Sequence, residues 1–234
     1  MSKKEFEFTG ERLVPENKNC AKDTTIYAEH IARYEFTKKF IGENDCVLDI
    51  ACGVGYGSAY LSNNTKAKYV LGIDNDYQTI EYANISYKND NCTFKQMDVS
   101  KLEIVDSSFD FIISFETIEH VQNYKKMISE IHRVLKNSAT FVISTPNKEV
   151  SDGSNEFHLQ EFTITELLQE LNPYFSNFVI FAQRKWEVFG KMSTLLHLRY
   201  FVKMFRGKKY HDVVDVKEIN PLNIQNFIVM CKKK

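Results

Sequence analysis

Three observations predict an α/β fold. First, the stretch Cys46–Ser58 reads as a short buried strand (Val47, Leu48, Ile50), a turn carrying Gly53, Gly55 and Gly57, and a helix starting near Ser58. Second, short apolar runs alternate with segments of helical spacing from there to the end of the chain. Third, acidic residues recur where those runs stop, at Asp49, Asp74 and Asp98. Ligands of open α/β sheets bind at the carboxyl ends of the strands, which is where these carboxylates fall.

The glycine turn is a nucleotide-binding corner, because glycine accepts left-handed backbone and lets a ligand approach bare main chain. Two cofactors compete for it. A dinucleotide fingerprint requires Gly or Ala at its third position, where this chain has Ser58. The alternative pattern is Asp49-x-x-x-Gly53-x-Gly55-x-Gly57, whose carboxylate suits a ligand bearing an ammonium group and a sulfonium and repels a pyrophosphate.

Composition bounds the rest. A chain of 234 residues with 43% hydrophobic content suits a single domain, expected to span 1–234. The formal net charge of −1 recruits neither nucleic acid nor anionic membrane, so no nucleic-acid partner is expected. No apolar segment reaches the ~20 residues of a membrane span and no signal-peptide run follows Lys3 and Lys4. The five cysteines are scattered without Cys-x-x-Cys pairing, which fits buried thiols in a reducing, cytoplasmic setting. No metal site is expected.

Taken in order, Gly10 and Pro15 mark a structured N-terminal loop. A helix follows from about Thr24, capped by Asp23 or Thr24 and ended by Gly42. Tyr27, His30 and Tyr34 share one of its faces. That face is either packing or a lid over the cofactor, within an N-terminal unit 1–42. The glycine-corner helix ends near Asn63 and Asn64, and a second strand runs Tyr69–Ile73. Asp74 lies about twenty residues past the glycine turn, where a carboxylate can accept both hydroxyls of a ribose. Asp76 caps the helix Tyr77–Tyr87, which faces Ile80, Ala83 and Tyr87 inward.

The third strand is Cys92–Gln96 and the fourth Phe109–Ser114. The helix after the fourth strand carries Tyr124, Met127, Ile128, Ile131, Val134 and Leu135 at helical spacing, with His132 and Arg133 as a solvated or edge pair. The fifth strand is Thr140–Thr145. Thr163-x-x-Glu166 is a capping box. Strand six is Phe178–Phe181 and the last Phe227–Cys231. Between them an insertion, 184–222, contains an apolar stretch, Lys191 to Arg206, suited to packing on its own protein or on a second copy, with a basic-apolar helix lying on a membrane as the other reading; it is a candidate homodimer surface.

The glycine corner, Asp74, and the run Ser114-Phe115-Glu116-Thr117-Ile118-Glu119-His120 together resemble the class I methyltransferases that use S-adenosylmethionine. The loop Thr9–Glu16 resembles one found in members tied to bacterial surface-polysaccharide and sugar-nucleotide pathways. The resemblance covers about residues 8–181 and the last strand, but not the insertion. It implies a Rossmann-like, seven-stranded, mostly parallel sheet with an antiparallel last strand and helices on both faces. It also implies S-adenosylmethionine as cofactor, a small-molecule acceptor, and a cofactor set of Tyr27, Arg33, Asp49, Gly53, Gly55, Asp74, Asn75, Asp98, Val99 and Phe115. In this set Asp98 accepts from the adenine amino group and Val99 packs on the ring; read on its own, Asp98 is an ordinary turn aspartate.

The implied reaction is displacement at the sulfonium methyl by an acceptor oxygen or nitrogen. Proximity supplies most of the acceleration, and a base matters chiefly for an alcohol. His120 and His158 are the candidate bases, or else they orient loops. Phe157–Thr163 resembles a loop that reaches over the acceptor pocket. Two other classes stay open on sequence grounds: a cofactor-binding protein without catalysis and an NAD-dependent oxidoreductase.

Overall fold

The computed structural model describes Val14, residues 25–184, 213–215 and 224–234. The apolar stretch at 191–206, the caps Asp23 and Thr24, and the 9–16 loop apart from Val14 lie outside the described residues. In chain order the elements are α1 (Thr25–Thr37, continued by a 3-10 turn Lys38–Phe40), β1 (Cys46–Ile50), α2 (Tyr56–Asn64), β2 (Tyr69–Asp74), α3 (Tyr77–Ser86) and β3 (Cys92–Gln96). Then follow β4 (Phe109–Phe115, with a 3-10 turn Ile118–His120 after it), α4 (Tyr124–Val134), β5 (Leu135–Pro146), α5 (Ile164–Leu171), β6 (Phe175–Arg184), β7 (Val213–Asp215) and β8 (Ile224–Lys233).

The strands form one sheet in the order β3-β2-β1-β4-β5-β8-β6-β7. β1 to β5 pair in parallel, and β8 runs antiparallel to both β5 and β6. The fold is the expected Rossmann-like one. Its sheet has one strand more than the seven foreseen, because β7, inside the 184–222 insertion, pairs antiparallel with the edge of β6. The chain winds outward from β1 to β3 and then returns to lay β4 on the other side of β1. The order therefore reverses between β1 and β4, and a crevice opens at their carboxyl ends.

Alternation along the strands sends side chains into two cores. Leu48, Ile112 and Phe141 pack with Met127, Ile128 and Ile131 of α4 and with Leu167 and Leu171 of α5. Val47, Phe111 and Val142 pack on the other face with Tyr34 of α1, Leu61 of α2, and Ile80 and Ala83 of α3. Each of the fully buried Met127, Ile131 and Val134 contributes roughly 1.5–3 kcal/mol as an upper estimate, which is what fixes α4 to the sheet.

Local signals act as expected at two helix starts. Asp76 accepts from the Thr79 N–H at 2.8 Å. Thr163 and Glu166 exchange both bonds of a capping box. Elsewhere the boundaries move. α2 begins at Tyr56, not near Ser58, because Gly55 in left-handed conformation (φ 89°) already serves as its N-cap. Of the expected solvated or edge pair, both His132 and Arg133 are half-buried, as at an edge. Arg133 bonds Glu130, Asp106 and the carbonyls of Leu102 and Ile104, while His132 packs edge-on to Phe175.

Candidate active site

A cavity of about 540 Å³ opens at the carboxyl ends of β1, β2 and β4, on the reversal point of the sheet. Its shape begins with the backbone after β1. Ala51 (φ 55°), Gly53 (φ 54°) and Gly55 (φ 89°) all take left-handed conformation, so the chain turns sharply into α2. Gly53 lines the cavity, and a Cβ built there meets nothing within 4 Å. The chain leaves open space at that position. Gly53 also donates its N–H to Asp74 Oδ2 at 3.1 Å.

Three expected cofactor residues do not line the cavity: Gly55, Asp49 and Tyr27. A Cβ on Gly55 would come within 2.6 Å of the Phe94 ring and 2.9 Å of Ala83. Gly55 is required by helix packing and by its φ, and it does not line the cavity. Asp49 was expected to face the ligand's cationic groups. Its place in β1 turns it instead under the corner. There it is 1% exposed and accepts from Ser58 Oγ at 2.6 Å and Tyr34 OH at 3.2 Å. Burial pushes its carboxyl up to about 7, against those two hydrogen bonds. Asp49 supports the corner from below, and Gly57 leaves room for the Tyr34 ring, which a Cβ there would strike at 2.0 Å.

The remaining members of the set lie on or near the wall. Asp74 ends β2 almost buried, with Oδ1 accepting from the Asp76 N–H at 3.0 Å, and Asn75 follows it into the lining. Asp98 and Val99 also line the cavity; Asp98 Oδ1 takes both the N–H and the hydroxyl of Ser100, at 2.8 Å each. Phe115 contributes from the end of β4, edge-on to Tyr34 with ring centres 5.2 Å apart. Tyr27 does not reach the cavity; it packs on Tyr56, which does, at 5.7 Å between centroids.

Arg33 reaches the lining from α1 while 98% buried. Its Nη1 donates to Gln183 Oε1 at 2.6 Å, and its Nε has no hydrogen-bond partner among the described residues. A buried guanidinium left partly unsatisfied is costly unless something further meets it. Its neighbour His30 holds the Tyr56 hydroxyl at 2.8 Å through Nδ1. Burial, then the Arg33 charge, push His30 down to about 3, so it is neutral.

Past β4 the chain turns through Glu116 in left-handed conformation (φ 48°), which is strained for a residue with a Cβ. Ser144 Oγ donates to its carboxylate at 2.6 Å, and Asn226 donates to the other oxygen. The next turn places Glu119 fully buried, with Oε2 accepting from Thr145 at 3.0 Å and Oε1 without a hydrogen-bond partner among the described residues. Burial and the Glu116 charge push the Glu119 carboxyl well up. His120 lines the cavity, and its ring stands 4.9 Å from that of His158. The structure thus brings both histidines together. It also ties the 157–163 loop to the Glu119 carbonyl through the N–H groups of Leu159 and Gln160.

Sequence reasoning missed Glu116, Ser100, Gln122 and Asn123, which all line the cavity. The signal was present. Ser100 lies in the loop after β3 and Gln122 and Asn123 in the loop after β4, and Glu116 lies two residues beyond the expected end of β4.

Residues 48–143 match a family model described as a methyltransferase domain. A Mycolicibacterium smegmatis protein named as a probable S-adenosylmethionine-dependent methyltransferase is 30% identical over 168 residues, covering 70% of this chain and 62% of that one. The sterol 24-C-methyltransferase of Kluyveromyces lactis is 32% identical over 154 residues, covering 63% and 37%. The chain therefore spans less than two thirds of the length of these curated relatives. Among solved structures, an S-adenosylmethionine-dependent methyltransferase from Thermotoga maritima superposes with a TM-score of 0.64 at 15% identity, covering 89% of this chain and 91% of that one. Matched model, relatives and fold point the same way: this chain is similar to methyltransferases, among them proteins named as S-adenosylmethionine-dependent.

Proposed function

We propose that the chain transfers the methyl group of S-adenosylmethionine to an oxygen or nitrogen of a small molecule. The observation that carries this reading is the joining of Gly53 and Asp74 on one cavity wall: open space above a left-handed glycine, beside a carboxylate able to take a ribose diol. When bound, S-adenosylmethionine supplies a methyl carbon on a sulfonium, so that an acceptor lone pair can form the new bond as the carbon–sulfur bond breaks towards sulfur.

The chain's own residues suit that ligand. Asp74 and Asn75 hold the ribose end, Asp98 and Val99 flank the base, and the Arg33 guanidinium answers the carboxylate. Phe115 offers an aromatic surface to the cation, worth ~0.5–2 kcal/mol, without the strong anionic contact that would oppose loss of the positive charge. Asp49, held under Ser58 and Tyr34, makes no such contact either. The acceptor enters beside Glu116 and His120, at the far end of the same cavity.

A nucleotide-linked sugar or glycan precursor is the acceptor favoured by the Thr9–Glu16 loop. Turnover on a panel of sugar nucleotides, simple alcohols and amines, followed by release of S-adenosylhomocysteine, tests the reading. No turnover on any of them, with the cofactor bound, leaves a binding protein in place of a catalyst.

A further inference from the structure

We propose that Glu119, His120 and His158 hold a divalent first-row transition cation at the acceptor end of the cavity. One donor atom from each lies within 4.8 Å of the other two. A cation bound at about 2.1 Å to each needs its donors roughly 3–4 Å apart. Glu119 Oε1 and His120 Nε2 are already 4.0 Å apart, and side-chain rotation of about 1 Å closes the rest.

The proposal stands on two independent observations. The first is Glu119 Oε1, a fully buried carboxylate oxygen with no hydrogen-bond partner among the described residues, 4.0 Å from His120 Nε2. The other oxygen is fixed by Thr145, so the orphan is held in place. Leaving such an atom unsatisfied is expensive unless a ligand completes it.

The second observation is the state of both imidazoles. His120 Nδ1 lies 3.0 Å from the Phe157 carbonyl, and His158 Nδ1 lies 2.7 Å from Glu161 Oε1. Carbonyl and carboxylate oxygens only accept, so each Nδ1 carries a proton, and the neutral form of each ring has its lone pair at Nε2. The Asn155 amide confirms this at His158, since its Nδ2 donates to Nε2 at 2.8 Å while its Oδ1 accepts from the Phe157 N–H. Imidazoles that ligate metals are held in this way, the distal nitrogen donating to a carboxylate or a backbone carbonyl. The cation replaces the Asn155 amide at His158. Two imidazoles with one carboxylate favour zinc, manganese, iron or cobalt over magnesium or calcium.

The site's chemical role rests on the methyl-transfer reading, although its existence does not. An acceptor hydroxyl that took a further coordination position would become more acidic and lose its proton to water. The histidines would then act as ligands in place of a base.

The test uses the full chain, stripped with EDTA and desalted, then titrated with Mn²⁺ alone while electron paramagnetic resonance reads the unbound ion. Zn²⁺ alone, competed against a chromophoric chelator, is the second titration. One saturable site is expected. Glu119→Gln, which keeps the shape and the Thr145 contact, should weaken it at least tenfold, as should His120→Ala and His158→Ala. Glu161→Gln should weaken it about tenfold through the His158 ring, and His132→Ala should not change it; circular dichroism shows that each variant is folded. No saturable binding of either ion, or an affinity in the His120 and His158 variants equal to that of the parent chain, overturns the proposal. Calorimetry with S-adenosylmethionine on the same stripped sample separates the two readings. Cofactor binding without metal binding overturns only the metal site, and metal binding without cofactor binding overturns only the methyltransferase reading.

Discussion

Gly53 donates its backbone N–H to the Asp74 carboxylate at 3.1 Å, across 21 residues of sequence. That bond ties the turn after β1 to the end of β2. Asp74 in turn holds the Asp76 N–H, which positions α3. One side chain therefore joins the cavity wall to the start of α3, and the same carboxylate lines the cavity.

Asp74→Asn tests that double duty. The amide keeps one acceptor oxygen, so one backbone contact and one ribose hydroxyl lose their charged partner. Stability should fall by ~1 kcal/mol, and affinity for S-adenosylmethionine should fall at least tenfold. Calorimetry and a melting curve read the two effects separately. Unchanged affinity would remove Asp74 from the cofactor site.

Two glycines separate ligand approach from packing. Gly53→Ala places its Cβ in open space at φ 54°, so the fold loses only ~1–2 kcal/mol while cofactor affinity drops more than tenfold. Gly55→Ala drives its Cβ into Phe94 and Ala83, costing ~2–4 kcal/mol, and should affect affinity less than stability. Urea unfolding with parallel binding titrations checks the pair. Equal effects on both quantities would show that the two positions do one job.

Asp49 gives a pH signature. Its folded carboxyl sits near 7, above the ordinary carboxylate value of the unfolded chain, so the folded state holds a proton that the unfolded state releases. Stability from this group is greatest below about pH 4 and is lost as pH rises to about 7, a change on the order of a few kcal/mol. Asp49→Asn should cancel that slope. Its stability relative to the parent chain should rise between pH 4 and 7 in denaturant titrations. A parallel pH dependence in both proteins would contradict the buried-carboxylate assignment.

Arg133 carries a prediction on the fold alone. Arg133→Ala removes bonds to two carboxylates and two carbonyls and leaves Glu130 nearly buried with fewer partners, so it should cost ~2–4 kcal/mol. Lys125→Ala, on an exposed ion pair, should leave the unfolding midpoint unchanged. Equal midpoints for the two variants would mean that the Arg133 network is idle.

The sheet was legible because its central strands are short apolar runs between clear turn residues. Cys92–Gln96 is observed with the boundaries read from sequence, and the Thr163–Glu166 box starts its helix as written. β5 was read too short, since Lys136 to Ser138 are polar and join the strand without an apolar pattern. In the site, Gly53, Asp74, Asp98 and Phe115 fell where strand ends predict. Asp49 did not, because its orientation depends on which face of β1 it takes, and there Ser58 and Tyr34 receive it. The pairing of His120 with His158 rests on a contact across 38 residues that no local pattern encodes, and Glu116 owes its position to a backbone conformation that glycine usually fills.

The measurement that bears most directly on this account is calorimetric titration of the purified chain with S-adenosylmethionine, S-adenosylhomocysteine and NAD, repeated on Gly53→Ala and Asp74→Asn. The account predicts one site for the first two ligands, no heat with NAD, and at least tenfold weaker binding of S-adenosylmethionine in each variant. Saturable binding of NAD, or S-adenosylmethionine affinity indifferent to both substitutions, would contradict it.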